Sequence, residues 1–257
     1  MKNIVIDHPA EHVARILINR PDAKNALDHL TRQELLDALR QVVDDKNNRA
    51  IIFAGVNHIL SAGGDVPSMA KLTEKQARDR MRHGRELCRA MAECPLPVVS
   101  VIEGMGVGNS VGLAMLSDFI LMDEKAFILF PFLKLGLIPD WAILHSLPLR
   151  VGSGRAKQIL MTCERVPAQK ALAIGLADEV VAKENAMDTA IEKAVEFSKL
   201  PIAAFARMKH RLNQIATTID EELRTEEDNQ SACLNHDEFR EGFKAFIEKR
   251  SADFRKL

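Results

Sequence analysis

The chain has 257 residues, 47% of them apolar and 28% charged, with a formal net charge of −1. That length buries a full core in one large domain, or one domain with a smaller appendage. The near-neutral balance gives no global field to draw nucleic acid or an anionic membrane, although local basic clusters can still meet a small anion.

The first residues, Met-Lys-Asn-Ile-Val-Ile-Asp-His, hold no long apolar region, and no run approaches the roughly 18 apolar residues of a membrane span. A cytoplasmic protein without membrane partners is expected. Arg255-Lys256-Leu257 only loosely matches a Ser-Lys-Leu peroxisomal address, because Arg replaces the small residue. Cys88, Cys94, Cys163 and Cys233 lack Cys-x-x-Cys or Cys/His spacing. They read as reduced buried thiols, with no metal site.

Residues 3–6 and 13–19 read as two short strands with a turn at 9–11 between them. Leu30, Leu35, Leu36, Leu39, Val42 and Val43 give residues 28–44 the spacing of an amphipathic helix. A buried strand at 50–54 leads to a glycine turn, Ser-Ala-Gly-Gly-Asp-Val at 61–66, and then to a charge-rich helix over 67–94. The β-branched run at 98–102 enters a loop with Gly104, Gly106 and Gly108, followed by a small-residue helical segment at 111–116. Short strands at 119–122 and 127–130 precede Gly-Leu-Ile-Pro-Asp at 136–140 and a helix to 149.

Strand and helix alternate to about residue 185, which predicts an α/β core with crossover connections over 1–185. Beyond it strand signals vanish. Helices are predicted over 186–200, 201–216, 219–234 and 236–250, with Pro201 at a first helical position, so 186–257 forms a separate helical layer.

The glycine junction at 104–112 leaves backbone N–H groups free at a helix N-terminus, where they can stabilise negative charge on a ligand oxygen. No carboxylate, His, Cys or Lys lies between Gly104 and Met115, so this loop moves no proton itself. A dinucleotide fingerprint fails on spacing, since Gly104 and Gly106 lead to Asn109, and Gly106 and Gly108 lead to Val111. A tight turn between packed elements stands as the plain alternative. If the turn at 61–66 meets this loop, one N–H from each could grip a single oxyanion.

Five segments together resemble the crotonase superfamily of enoyl-CoA hydratases and isomerases. They are Asn-Arg-Pro-Asp-Ala-Lys-Asn-Ala-Leu at 19–27, Leu-Ser-Ala-Gly-Gly-Asp at 60–65, residues 102–118, Phe-Pro-Phe-Leu-Lys-Leu-Gly-Leu-Ile-Pro at 130–139, and Glu-Gly-Phe-Lys-Ala-Phe-Ile-Glu-Lys-Arg at 241–250. The resemblance implies a (ββα)-repeat core with a helical C-terminal region, a trimer or hexamer, an acyl-CoA or enoyl-CoA substrate, and no cofactor beyond it. It puts the thioester oxyanion between the N–H groups of Gly64 and Asn109, the second of which is usually glycine in the family. Ala62 would lie against the adenine, Lys24 and Lys249 near the CoA phosphates, and Phe246 on the adenine. Ala26, Gly63, Asp65, Gly108, Phe132 and Trp141 would complete the substrate site. Surface charges and a core Phe remain the alternative for Lys24, Lys249 and Phe246.

The acids depart from the hydratase pattern. The two glutamates of hydratases in this family align with Gly112 and Phe132, neither of which transfers a proton. Asp140, after Pro139, matches the lone aspartate of isomerase-type members, so an enoyl-CoA isomerase is expected. A hydratase or other enolate chemistry with a non-standard acid, and a non-catalytic acyl-CoA binder, are the alternatives. Asp140 could instead cap the helix beginning at Trp141. Isomerase-like members usually continue with small residues, whereas Trp141 here could narrow the acyl pocket or pack in the core, and His145 lies about one turn away. Glu103 and Asp65 read as loop hydrogen-bond partners beside the two glycine turns.

Overall fold

The computed structural model describes residues 1–214 and 217–257; the end of the helix predicted over 201–216 lies outside them. The chain opens on an antiparallel pair, β1 (Ile4–Ala10) and β2 (Val13–Ile18). Pro9 sits inside β1 and the turn falls at Glu11 and His12, not at 9–11. β1 is the edge strand and its register shifts between Asp7 and Ala10, the setting in which a strand tolerates a residue without an N–H.

α1 (His29–Asp44) is capped by Asp28, whose carboxylate accepts from Thr31 N–H at 2.8 Å. β3 (Ala50–Gly55) is buried throughout. α2 (Glu74–Ala92) starts later than the sequence suggests: residues 67–69 form one tight turn, and a Thr73–Gln76 capping box fixes the helix start. β4 (Val98–Ile102), β5 (Met105–Val107) and α3 (Asn109–Met115) follow, so a three-residue strand lies within the glycine loop. Then come β6 (Phe119–Asp123), β7 (Phe127–Leu129), α4 (Ile143–Val151), α5 (Ser153–Thr162), β8 (Arg165–Pro167), α6 (Ala168–Ala173) and β9 (Glu179–Val181). The C-terminal region holds α7 (Ala186–Phe197), α8 (Ile202–Asn213), α9 (Ile219–Leu234) and α10 (Asp237–Glu248). Pro201 is the cap residue of α8 and precedes its first turn.

The larger sheet runs β1-β2-β3-β4-β6-β9, parallel from β2 onward, and a smaller sheet runs β5-β7-β8. Both faces of the larger sheet are covered, which explains the unbroken apolar runs of β3 and β4. On one face Ile16, Ile51 and Phe53 join Leu35, Leu39 and Leu87 of α1 and α2. On the other, Ala50, Ile52 and Val99 meet Ala186, Ala190 and Ala194, whose four-residue spacing gives α7 a small-residue stripe. The first helix of the C-terminal region thus belongs to the core packing. α8 is tied to the core through buried Lys209, whose Nζ donates to Asp118 Oδ2 at 2.7 Å. Among the described residues no helix is long and apolar enough to cross a membrane.

Candidate active site

The two glycine turns meet at one end of the parallel sheet. Ser61 bridges Gly106, with Ser61 N–H donating to Met105 O at 3.2 Å and Val107 N–H to Ser61 O at 3.1 Å. Gly63 has φ +89°, and a Cβ there would stand 2.6 Å from the Val107 carbonyl oxygen. Only glycine lets the turns approach this closely.

The hydrogen bonds of the first turn select which N–H stays free. Ala62 N–H donates to Lys24 O at 2.9 Å, and Gly63 N–H to Ser61 Oγ at 2.9 Å. Among the described residues, neither Gly64 N–H nor Asn109 N–H, at the first position of α3, has an acceptor. Both residues line a cavity of about 500 Å³, together with Ala62, Gly63, Gly108, Phe132 and Asp140. Its size is that of a small-molecule site.

Buried Asn25 anchors the first turn from behind. Its Oδ1 accepts from Arg20 N–H at 3.0 Å, and its Nδ2 donates to Val56 O at 3.0 Å and Ile59 O at 2.7 Å. Asn25→Ala strands these groups without water, so denaturant unfolding should show a loss on the order of 2 kcal/mol.

Asp140 reaches the cavity through a sharp chain reversal. Trp141 (φ 52°) and Ala142 (φ 61°) are both left-handed, a conformation costly for residues with a Cβ. The reversal leaves the Asp140 side chain at the cavity and sends Trp141 into the core, where it is 5% exposed. Trp141 therefore does not line the cavity. Its indole lies against Gly84 of α2, while its backbone and Cβ cover Gly112 of α3: a Cβ on Gly84 would be 2.8 Å from Trp141 Nε1, and one on Gly112 2.6 Å from Trp141 O. The capping role for Asp140 also falls away, since α4 starts at Ile143 with Ala142 in the cap position and no side-chain cap bond. Asp140 Oδ1 is buried without a partner. Burial raises its pKa from 3.8 to about 6, against the opposing pull of the Arg80 and Arg32 guanidiniums.

The remaining candidates divide. Lys24 and Ala26 lie on the strand-to-helix loop beside Ala62, Lys24 exposed, without lining the cavity. Asp65 is held by Arg20, whose Nη1 donates to its Oδ2 at 2.7 Å, and Glu103 Oε1 is hydrogen-bonded to His58 Nδ1 at 2.6 Å; neither carboxylate lines the cavity. Phe246 and Lys249 are not brought to the cavity within this chain: both lie at the end of α10, where Phe246 faces a groove between α8 and α10 and is 80% exposed. His145 is exposed and faces a separate depression beside Asp118 and Lys209. Arg80 of α2, which the sequence reading passed over, projects into the cavity. Nothing in a helix that also carries Arg78, Arg82 and Arg85 sets it apart until α2 is packed beside the glycine turns.

The sequence profile of the enoyl-CoA hydratase/isomerase family matches residues 9–256. The chain belongs to this family, within the crotonase superfamily. Among its enoyl-CoA hydratase/isomerase relatives is the crotonyl-CoA hydratase of Syntrophomonas wolfei, 32% identical and covered over 98% of each chain. Another is the 1,2-epoxyphenylacetyl-CoA isomerase of Escherichia coli, 29% identical over 99% of each chain. The crystal structure of an enoyl-CoA hydratase from Bacillus anthracis superposes with a TM-score of 0.92 at 28% identity, covering 99% of this chain and 100% of that one. The α/β crotonase fold expected from the sequence is thereby established.

Proposed function

We propose that the protein is an enoyl-CoA isomerase that moves a double bond with Asp140 as its single acid and base. Asp140 takes a C2 proton from a 3-enoyl-CoA and returns it at C4, so that proton and electron pair balance without a second reagent. The dienolate oxygen lies between the Gly64 and Asn109 N–H groups, where each donor contributes about 3 kcal/mol of transition-state stabilisation. One observation carries this reading. Among the residues lining the cavity that holds both free N–H groups, Asp140 is the one carboxylate. Gly112 and Phe132 supply no second acid, and no cofactor enters the step.

A base with a pKa of about 6 is charged at neutral pH and becomes protonated below it. The pH profile of kcat/KM on a 3-enoyl-CoA should therefore show an acidic limb near pH 6, falling about tenfold per unit below it. A limb near pH 4 would show that Asp140 titrates as an ordinary carboxylate and that burial does not raise its pKa. The hydratase names of relatives such as the Syntrophomonas protein favour a second reading, in which water adds to a 2-enoyl-CoA. That reading needs a second group to activate water, and direct assay of hydration decides it.

The exposed Phe239, Phe243, Phe246 and Ile247 of α10 support the trimer or hexamer that the family resemblance implies. Sedimentation velocity reads the assembly, and a monomer would count against it.

A further inference from the structure

The cavity holds positive charge that double-bond migration does not use. Arg80 and Lys71 line it with Asp140 as the one carboxylate, while Arg20, Arg32, Asp28 and Asp65 stand outside that lining. Arg20 engages two of the carboxylates, Asp65 Oδ2 at 2.7 Å and Asp28 Oδ2 at 3.4 Å. Among the described residues Arg32 and Arg80 form no ion pair with a carboxylate; across longer gaps Arg32 feels Asp28, Asp140 and Asp65, and Arg80 feels Asp140 and Asp65. Within the cavity lining, Arg80 and Lys71 face Asp140 alone, leaving one positive charge in excess.

Both arginines also have donors to spare. Arg32 is 3% exposed, yet its Nε and Nη1 have no partner. Arg80 makes a single long hydrogen bond, Nη1 to Ser68 Oγ at 3.3 Å. Its Nη2 lies 3.4 Å from the point where a Cβ on Gly64 would sit, and Asn109 Nδ2 lies 3.3 Å from that same point. A guanidinium and a carboxamide donor therefore converge beside the two free backbone N–H groups. Burying unpaired cations is costly unless an anion joins them, and a planar guanidinium matches a carboxylate in shape and charge.

We propose that Arg80, with the Asn109 carboxamide and with Arg32 behind it, recognises a carboxylate on the acyl chain, so that the preferred substrate is the CoA thioester of a dicarboxylic acid. This rests on the acyl-CoA part of the functional reading and is independent of which reaction follows. Arg80 is a specificity-determining residue in this account.

Calorimetric titration with ligands matched in chain length tests it: malonyl-CoA against propionyl-CoA, succinyl-CoA against butyryl-CoA, and glutaryl-CoA against pentanoyl-CoA. In the wild-type protein at least one dicarboxylic ligand should bind roughly tenfold more tightly than its neutral partner, the scale of one charge-assisted hydrogen bond. Arg80→Gln should erase that preference while leaving the neutral ligands nearly unchanged, and Arg80→Lys should keep part of it. Equal or tighter binding of the neutral ligand in every pair overturns the proposal, whether or not the Arg80 variants fold. Equal weakening of both ligands by a folded Arg80→Gln also overturns it. Failure of every acyl-CoA to bind would remove the acyl-CoA reading as well, whereas an Arg80-dependent preference without isomerisation would remove only the isomerase reading.

Discussion

Asp140→Asn should lower kcat on a 3-enoyl-CoA by roughly 10³-fold, the scale of a positioned general base, while acyl-CoA affinity stays nearly unchanged. The substitution keeps the size of the side chain and removes only its capacity to take a proton. The same change should make the protein more stable at neutral pH. The folded state binds the Asp140 proton more tightly than the unfolded chain, because burial raises the pKa from 3.8 to about 6. That stabilising contribution is complete below pH 3.8 and is lost as pH rises through about 6, where the carboxylate must ionise in a site that disfavours it. A neutral Asn removes this cost. Allowing for residual solvent at a partly exposed side chain, Asp140→Asn should gain about 1–2 kcal/mol at pH 8. Near pH 3.5 the gain should disappear. Thermal melting of both proteins across this range reads the effect, and a variant less stable at pH 8 would show that Asp140 is structural.

Gly112→Glu should not create a hydratase, although it places there the residue type that the family resemblance assigns to hydratases. A Cβ at this position would stand 2.6 Å from Trp141 O, 3.0 Å from Trp141 Cβ and 3.2 Å from Ile143 Cγ1. The nearest of these atoms is backbone and cannot swing aside. Overpacking and an added buried carboxylate together should cost about 3 kcal/mol or more. The displaced segment also carries Asp140, so isomerisation should fall with stability. Trp141→Gly removes only the contact with Trp141 Cβ and leaves the carbonyl oxygen at 2.6 Å, so combining it with Gly112→Glu should recover little of the lost stability in a denaturant titration. A stable, fully active single variant would show that the segment yields freely and that Trp141 does not occupy the place of the missing acid.

What the sequence made legible and what it hid follow from the range of the forces involved. The turns that carry Gly63, Gly64 and Asn109 were readable because a close turn and a helix start are local events that leave a local pattern, whereas the choice of the Gly64 and Asn109 N–H groups came from the family resemblance. Asp140 was readable by its place after Pro139, but its direction was not. Two consecutive left-handed residues set that direction, and neither Trp141 nor Ala142 advertises such a conformation. The burial of Trp141 depends on two glycines, Gly84 and Gly112, on different helices, a match visible only after packing. The same limit hid Arg80, whose role depends on which face of a charge-rich helix meets the glycine turns. The three-residue strands β5 and β8 are fixed by pairing with β7, and their sequences are too short to signal them. Phe246 and Lys249 match a family segment, yet in the single chain α10 holds them away from the cavity.

The central claim is that one carboxylate and two backbone N–H groups suffice for double-bond migration and do not suffice for hydration. The most direct measurement compares the wild-type protein on a 3-enoyl-CoA and on the 2-enoyl-CoA of the same chain length, following double-bond position and water addition separately. The account predicts that isomerisation exceeds hydration by roughly 10²-fold or more, since hydration lacks a second positioned acid or base. Hydration as fast as isomerisation would contradict it.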